Sequence, residues 1–173
     1  QFFNHQKLVR DYMGRDSPYR GILLYHGLGV GKTCGSIAIA ESFRTNRKIC
    51  IMLNKSLKQN YRENIMKCGA QMLRLNQHWV WFEINKNDKE KVGLARAFGI
   101  KPSFIEKQGG VWFIDFSKDE PNYKTLTKQE QEKLNLQINT MIDDRYHFYH
   151  MDGLTKKKLE SMIKNREFDN SVL

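Results

Sequence analysis

With 173 residues, 40% of them hydrophobic and only three prolines, the chain suits a single domain, or one large piece of a domain, with a buried core. The formal charge of +10 favours a polyanionic partner such as nucleic acid. No apolar run approaches membrane-spanning length and no signal peptide is recognisable; Cys34, Cys50 and Cys68 are isolated, without a CxxC pair, which speaks against a zinc site or a disulfide framework and for a reducing, intracellular setting.

In chain order, His5 to Met13 reads as a short helix with Leu8, Val9 and Tyr12 on one side. Ser17-Pro18 breaks it, and Arg20 to Tyr25 reads as the first strand. A helix is expected from Lys32 to about Arg44, closed by Thr45-Asn46. The run Lys48-Ile49-Cys50-Ile51-Met52-Leu53 then reads as a fully buried strand. Strand, helix, strand predicts a right-handed βαβ unit and a parallel sheet. Ser56-x-x-Gln59 has the spacing of a capping box opening another helix, which Cys68-Gly69 stops.

His78 to Phe82 and Val111 to Ile114 are further strand candidates, separated by a charged loop from Asn85 to Lys91 and a helical turn or two from Val92 to Phe98. Thr127-x-x-Glu130 is a second capping box, followed by Leu134, Ile138, Met141 and Ile142 at helical spacing. A last helix is expected near Lys156 to Asn165, before a turn that feeds a strand at Ser171-Val172-Leu173. His147 and His150 have no partners at metal spacing, and Trp79, Trp81, Tyr146, Phe148 and Tyr149 read as core rather than stacking platforms.

Between the first strand and the first long helix lies Tyr25-His26-Gly27-Leu28-Gly29-Val30-Gly31-Lys32-Thr33. Strand, glycine-rich turn and Lys-Thr opening a helix is the layout of a nucleoside-triphosphate-binding P-loop. Glycines let the backbone wrap a polyphosphate so that successive N–H groups face its oxygens. The helix N-terminus adds partial positive charge. The candidate contacts are Gly27, Leu28, Gly29, Val30, Gly31, Lys32, Thr33 and Cys34, with Lys32 on the outer phosphates and the Thr33 hydroxyl on Mg2+. His26 stands where the usual pattern has glycine or alanine. An acidic Mg2+ ligand is also needed at the end of a neighbouring strand. Asp115 is the one internal strand-terminal acid, with Phe116 where a catalytic glutamate would follow.

Several blocks resemble a known family: His5-Gln6, Arg20 to Gly27, Gly31-Lys32-Thr33, Asn54 to Tyr61, Lys67-Cys68-Gly69, Asn76 to Trp79, Lys107 to Trp112 and Asp152 to Thr155. They are similar to the superfamily 2 helicases of nucleocytoplasmic large DNA viruses, relatives of chromatin-remodelling ATPases and of poxvirus early transcription factor. The resemblance implies a three-layer α/β RecA-like domain with a parallel sheet, ATP and Mg2+ as cofactors, nucleic acid (DNA in the first place) as partner, and a second RecA-like domain in the parent chain. It gives Gln6 an adenine-reading role, leaves Phe2 or Phe3 to stack on the base, and puts Asn54, Lys55 and Ser56 on the nucleic-acid backbone.

The expected organisation is a nucleotide-binding core over 1–84, an irregular insertion over 85–150 and a return to the core over 151–173, cut before the family's Asp-Glu box. Gln1 in place of Met also reads as a piece of something longer, one that binds nucleotide and hydrolyses it poorly. The expected activity of the parent is that of an ATP-dependent helicase or translocase in host cytoplasm or virion. The rivals are a transcription or remodelling factor without strand separation and a small stand-alone P-loop NTPase or kinase using Asp115.

Overall fold

A computed structural model describes residues 3–14, 18, 19, 21–25, 27, 29, 31–43, 47–85 and 87–172. His26, Leu28, Val30, Phe2, Arg20, Thr45, Asn46 and Leu173, all used above, lie outside the described residues. The chain divides into two compact units, residues 1–69 with 145–173, and residues 70–144.

The first unit opens with helix α1, Asn4–Tyr12, whose buried residue is Gln6. Helix α2, Lys32–Ser42, follows and buries Gly35, Ile37, Ala38 and Ala40, small and aliphatic side chains that let neighbouring backbone approach. Strand β1, Lys48–Leu53, leads through a 3-10 turn, Lys55–Leu57, into helix α3, Lys58–Cys68. Strand β4, Tyr146–His150, pairs parallel with β1 from Ile49↔Tyr146 to Leu53↔His150. Helix α7, Lys156–Lys164, precedes strand β5, Ser171–Val172, which pairs parallel with the other edge of β1. The order is therefore β4-β1-β5, and the central place of β1 explains its nearly continuous apolar sequence.

Three expectations change in this unit. Residues 21–25 form no strand: both edges of β1 are occupied by β4 and β5, so their backbone has no ladder there, and Leu23 and Tyr25 are 87% and 93% exposed. Ser56 caps no helix, because α3 starts two residues later with no side-chain cap and Gln59 bonds Glu63 instead. Tyr146–His150, assigned above to the insertion, is a strand of the parallel sheet.

The second unit holds strand β2, Trp79–Glu83, helix α4, Lys89–Ala97, helix α5, Pro102–Gln108, strand β3, Gly110–Ile114, and helix α6, Lys128–Arg145, up to Asp144. β2 and β3 pair antiparallel, Trp79↔Ile114 to Glu83↔Gly110. This unit has its own core of Leu73, Trp79, Ile105, Val111, Leu134, Ile138 and Ile142. Gln137, fully buried on α6, accepts from Trp112 N and donates to Trp112 O, both at 2.8 Å, serving β3 as a strand neighbour would. The Thr127 capping box forms: Thr127 N donates to Glu130 Oε2 at 2.8 Å, and Glu130 N to Thr127 Oγ1 at 3.3 Å.

Candidate nucleotide site

The glycine-rich turn adopts a backbone that only glycine takes easily. Gly29 has φ +80° and Gly31, the N-cap of α2, has φ +77°. At Gly31 a second constraint applies, because a Cβ there would collide with the Gln6 amide nitrogen. That amide is the strut of the site. Its Oε1 accepts from Phe3 N at 3.0 Å and its Nε2 donates to Gly31 O at 3.1 Å, tying α1 to the start of α2. The adenine-reading role expected of Gln6 contained no hint of this tie.

Lys32 Nζ donates to Gly27 O at 2.8 Å, bringing the ammonium back over the turn. Thr33 follows on the first turn of α2, where the leading N–H groups have no intrahelical acceptor. No acidic side chain of that turn offsets its partial positive charge. Backbone donors, the Lys32 ammonium and the Thr33 hydroxyl are a set whose chemistry fits an anionic polyphosphate with its divalent cation. Leu28 and Val30, expected contacts, lie outside the described residues. A cavity of about 780 Å3 in the same unit is walled by Met13, Tyr19, Leu24, Ile39 and Tyr61 but not by Lys32 or Thr33, so it is distinct from the glycine-rich turn.

Behind the cradle, Ser36 Oγ donates to Thr33 O at 2.8 Å and lies 3.0 Å from Tyr61 OH on α3. Burial raises the Tyr61 hydroxyl above its ordinary pKa, so it stays protonated and can donate. Cys34 and Cys68 are joined by a disulfide, contrary to the expectation of isolated thiols. Their separation of 34 residues carries no local signal; only the packing of α2 on α3 brings their Cα atoms to 5.8 Å, within bridging reach. Cys50 is buried and free.

Asn54, Lys55 and Ser56 are exposed after the carboxyl end of β1. Lys55 N donates to Asp152 Oδ2 at 2.7 Å, and Met151 N to Leu53 O at 3.0 Å, which fastens the loop after β1 to the loop after β4. Lys58 Nζ and the Arg62 guanidinium lie 5.3 and 5.7 Å from the Phe148 ring centre. Asp115, the alternative Mg2+ ligand, belongs to residues 70–144, where its carboxylate accepts from Ser117 N at 3.0 Å and Ser117 Oγ at 2.6 Å. No group of three metal-binding side chains occurs among the described residues.

Charge separates the units. Residues 70–144 hold eleven of the 29 basic and eleven of the 19 acidic residues, so the whole excess of +10 lies on residues 1–69 and 145–173.

Sequence comparison identifies relatives. A protein of Acanthamoeba polyphaga mimivirus with the provisional name ATP-dependent RNA helicase R563 is 43% identical over 65 residues, 38% of this chain and 11% of its own length. A second mimivirus protein, provisionally ATP-dependent RNA helicase L377, is 33% identical over 93 residues, 50% of this chain and 8% of its own. A third, provisionally helicase 009L of Frog virus 3 (isolate Goorha), is 39% identical over 73 residues, 39% of this chain and 8% of its own. The chain is homologous to helicases of large DNA viruses. It matches only about a tenth of these relatives' length. No family profile and no solved structure matches it. Among the described residues no helix is long and apolar enough to cross a membrane.

Proposed function

We propose that the chain is the nucleotide-binding part of the first RecA-like domain of an ATP-dependent viral helicase or translocase. The observation that carries this reading is the cradle from Gly27 to Thr33: left-handed glycines, a helix N-terminus without acids, and an ammonium folded over the turn. The helicase homology supports it independently.

In this reading backbone N–H groups from Gly27 to Cys34 face the phosphate oxygens, Lys32 exchanges Gly27 O for the outer phosphates, and the Thr33 hydroxyl ligates Mg2+. ATP supplies the phosphoryl group whose loss resets the motor. Each amide atom of Gln6 has capacity for one bond beyond its present one, a second N–H and a second lone pair, the pair that an adenine edge requires. Asn54, Lys55 and Ser56 hold a nucleic-acid backbone at the carboxyl edge of the parallel sheet. A second RecA-like domain in the parent chain closes on the nucleotide and contributes the remaining catalytic groups.

The test is equilibrium binding of a fluorescent ATP analogue with Mg2+. Lys32→Ala is expected to weaken it about 10- to 100-fold, the range of a charge-assisted hydrogen bond. An unchanged affinity would overturn the assignment of the loop.

A further inference from the structure

The disulfide sits where it can act on the cradle. Cys34 is the residue after Lys32-Thr33, on the first turn of α2, and Cys68 is the last residue of α3. Both are half-buried, whereas the remaining cysteine, Cys50, is 1% exposed inside β1. The Thr33 O–Ser36–Tyr61 chain of hydrogen bonds joins the same two helices, from two residues beyond Cys34 on α2 to seven residues before Cys68 on α3. A covalent link and a polar link together fasten the first turn of α2 to α3.

We propose that Cys34 and Cys68 form a reversible thiol–disulfide site that sets the triphosphate affinity of the loop Gly27–Thr33, an inference that rests on the nucleotide-binding reading above. The reaction needs only a small-molecule disulfide of the glutathione class. One protein thiolate attacks a sulfur of that disulfide and expels one small thiolate; the second protein thiolate then attacks the mixed disulfide, forms the Cys34–Cys68 bond and expels the other. The protein loses two electrons, the small disulfide gains them, and the two thiol protons end on the released thiols. Reduction runs the same steps backwards.

The consequence for binding follows from pre-organisation. With the bond closed, the turn that carries Lys32 and Thr33 is held in one arrangement before nucleotide arrives. With it open, part of the binding free energy goes into ordering that turn. Affinity is therefore higher in the oxidised chain, on the order of tenfold, an ordinary coupling between two sites. Coupling is reciprocal, so saturating nucleotide stabilises the disulfide by the same factor. For a two-electron couple, tenfold is about 30 mV, toward more negative potential.

The experiment equilibrates the chain in glutathione buffers of graded ratio, with and without saturating ATP and Mg2+, and counts Cys34–Cys68 by alkylation and mass spectrometry. Nucleotide affinity is measured alongside in the fully oxidised and fully reduced chain. The expected result is a midpoint shifted by about 30 mV and a Kd about tenfold higher after reduction. Cys68→Ser, which leaves the loop untouched, is expected to show the reduced Kd in every buffer. Normal binding with an unmoved midpoint overturns this proposal alone. So does a chain whose Cys34 and Cys68 stay as thiols in the most oxidising buffer. No binding in either redox state, with the disulfide demonstrably intact, overturns the nucleotide reading and this proposal with it.

Discussion

The two units use polar groups in opposite ways. In residues 70–144 side-chain amides turn inward onto strand backbone: Gln137 serves Trp112 on both sides, and Asn122 serves Trp79, accepting from its N and donating to its O at 2.8 Å each, while the buried indole N–H groups of Trp79 and Trp112 have no partner among the described residues. Its charges balance, eleven against eleven. In residues 1–69 and 145–173 the polar groups of Lys32, Thr33 and Asn54–Ser56 stand at element ends, and this unit holds the whole positive excess. Side-chain amides that complete strand hydrogen bonds add stability, while donors at helix ends under positive charge suit an anion.

The largest expected effect separates the units by redox state. Reducing Cys34–Cys68 opens a 34-residue loop, for which the chain-entropy account gives roughly 3 to 4 kcal/mol. Denaturant unfolding followed by hydrogen exchange should show that loss in residues 1–69 and 145–173, with 70–144 unaffected. An equal loss in 70–144 would mean one cooperative block and break the comparison. The reverse probe is Gln137→Leu. It leaves Trp112 N and O buried without partners and should cost about 2 to 3 kcal/mol in 70–144 alone. Nucleotide affinity should not move.

Smaller again is Thr127→Ala, which removes the cap of α6 and should cost about 1 kcal/mol by thermal unfolding. A stability equal to the parent would show that the Glu130 contact to Thr127 N suffices alone.

Acid and alkali should sharpen the contrast without substitutions. Side-chain hydrogen bonds from Lys91, Ser117 and Thr127 hold the carboxyl groups of Asp88, Asp115 and Glu130, all in 70–144, below their ordinary values. A carboxylate with a depressed folded pKa adds stability above its unfolded pKa and loses it as pH falls through the folded one. Acid should thus loosen 70–144 from about pH 4 downward. In the other unit burial raises Tyr61 and Tyr146 above the ordinary phenol value. A raised folded pKa stabilises below the unfolded pKa, and that contribution fades as pH rises past about 10. Exchange measured across the pH range should therefore show 70–144 opening first in acid and the basic unit first in alkali; the opposite order would contradict both assignments.

Local pattern made the helices and β1 readable. Ile49 to Leu53 is apolar because both edges of its strand are paired, and the Thr127–Glu130 spacing produced the cap it advertises. What escaped the sequence were the choices that only packing makes. The apolar residues 21–25 have the composition of a strand, but no free edge of β1 accepts them. Tyr146–His150 looked like part of an insertion because its partner lies about a hundred residues earlier. At the candidate site, the glycine-rich turn and the start of α2 at Lys32 were legible from spacing. The Gln6 strut and the Cys34–Cys68 bond were not, since each joins residues with no sequence relation. Asp152, which ties down Lys55 N, stood out only as part of the block Asp152 to Thr155.

The most direct measurement of the central claim is an amide chemical-shift map of the 15N-labelled chain titrated with a non-hydrolysable ATP analogue and Mg2+. The account predicts perturbations concentrated at Gly27 to Cys34 and at Phe3 and Gln6, with residues 70–144 silent. Perturbations absent from Gly27–Cys34, or centred on Asp115 and Ser117, would contradict it.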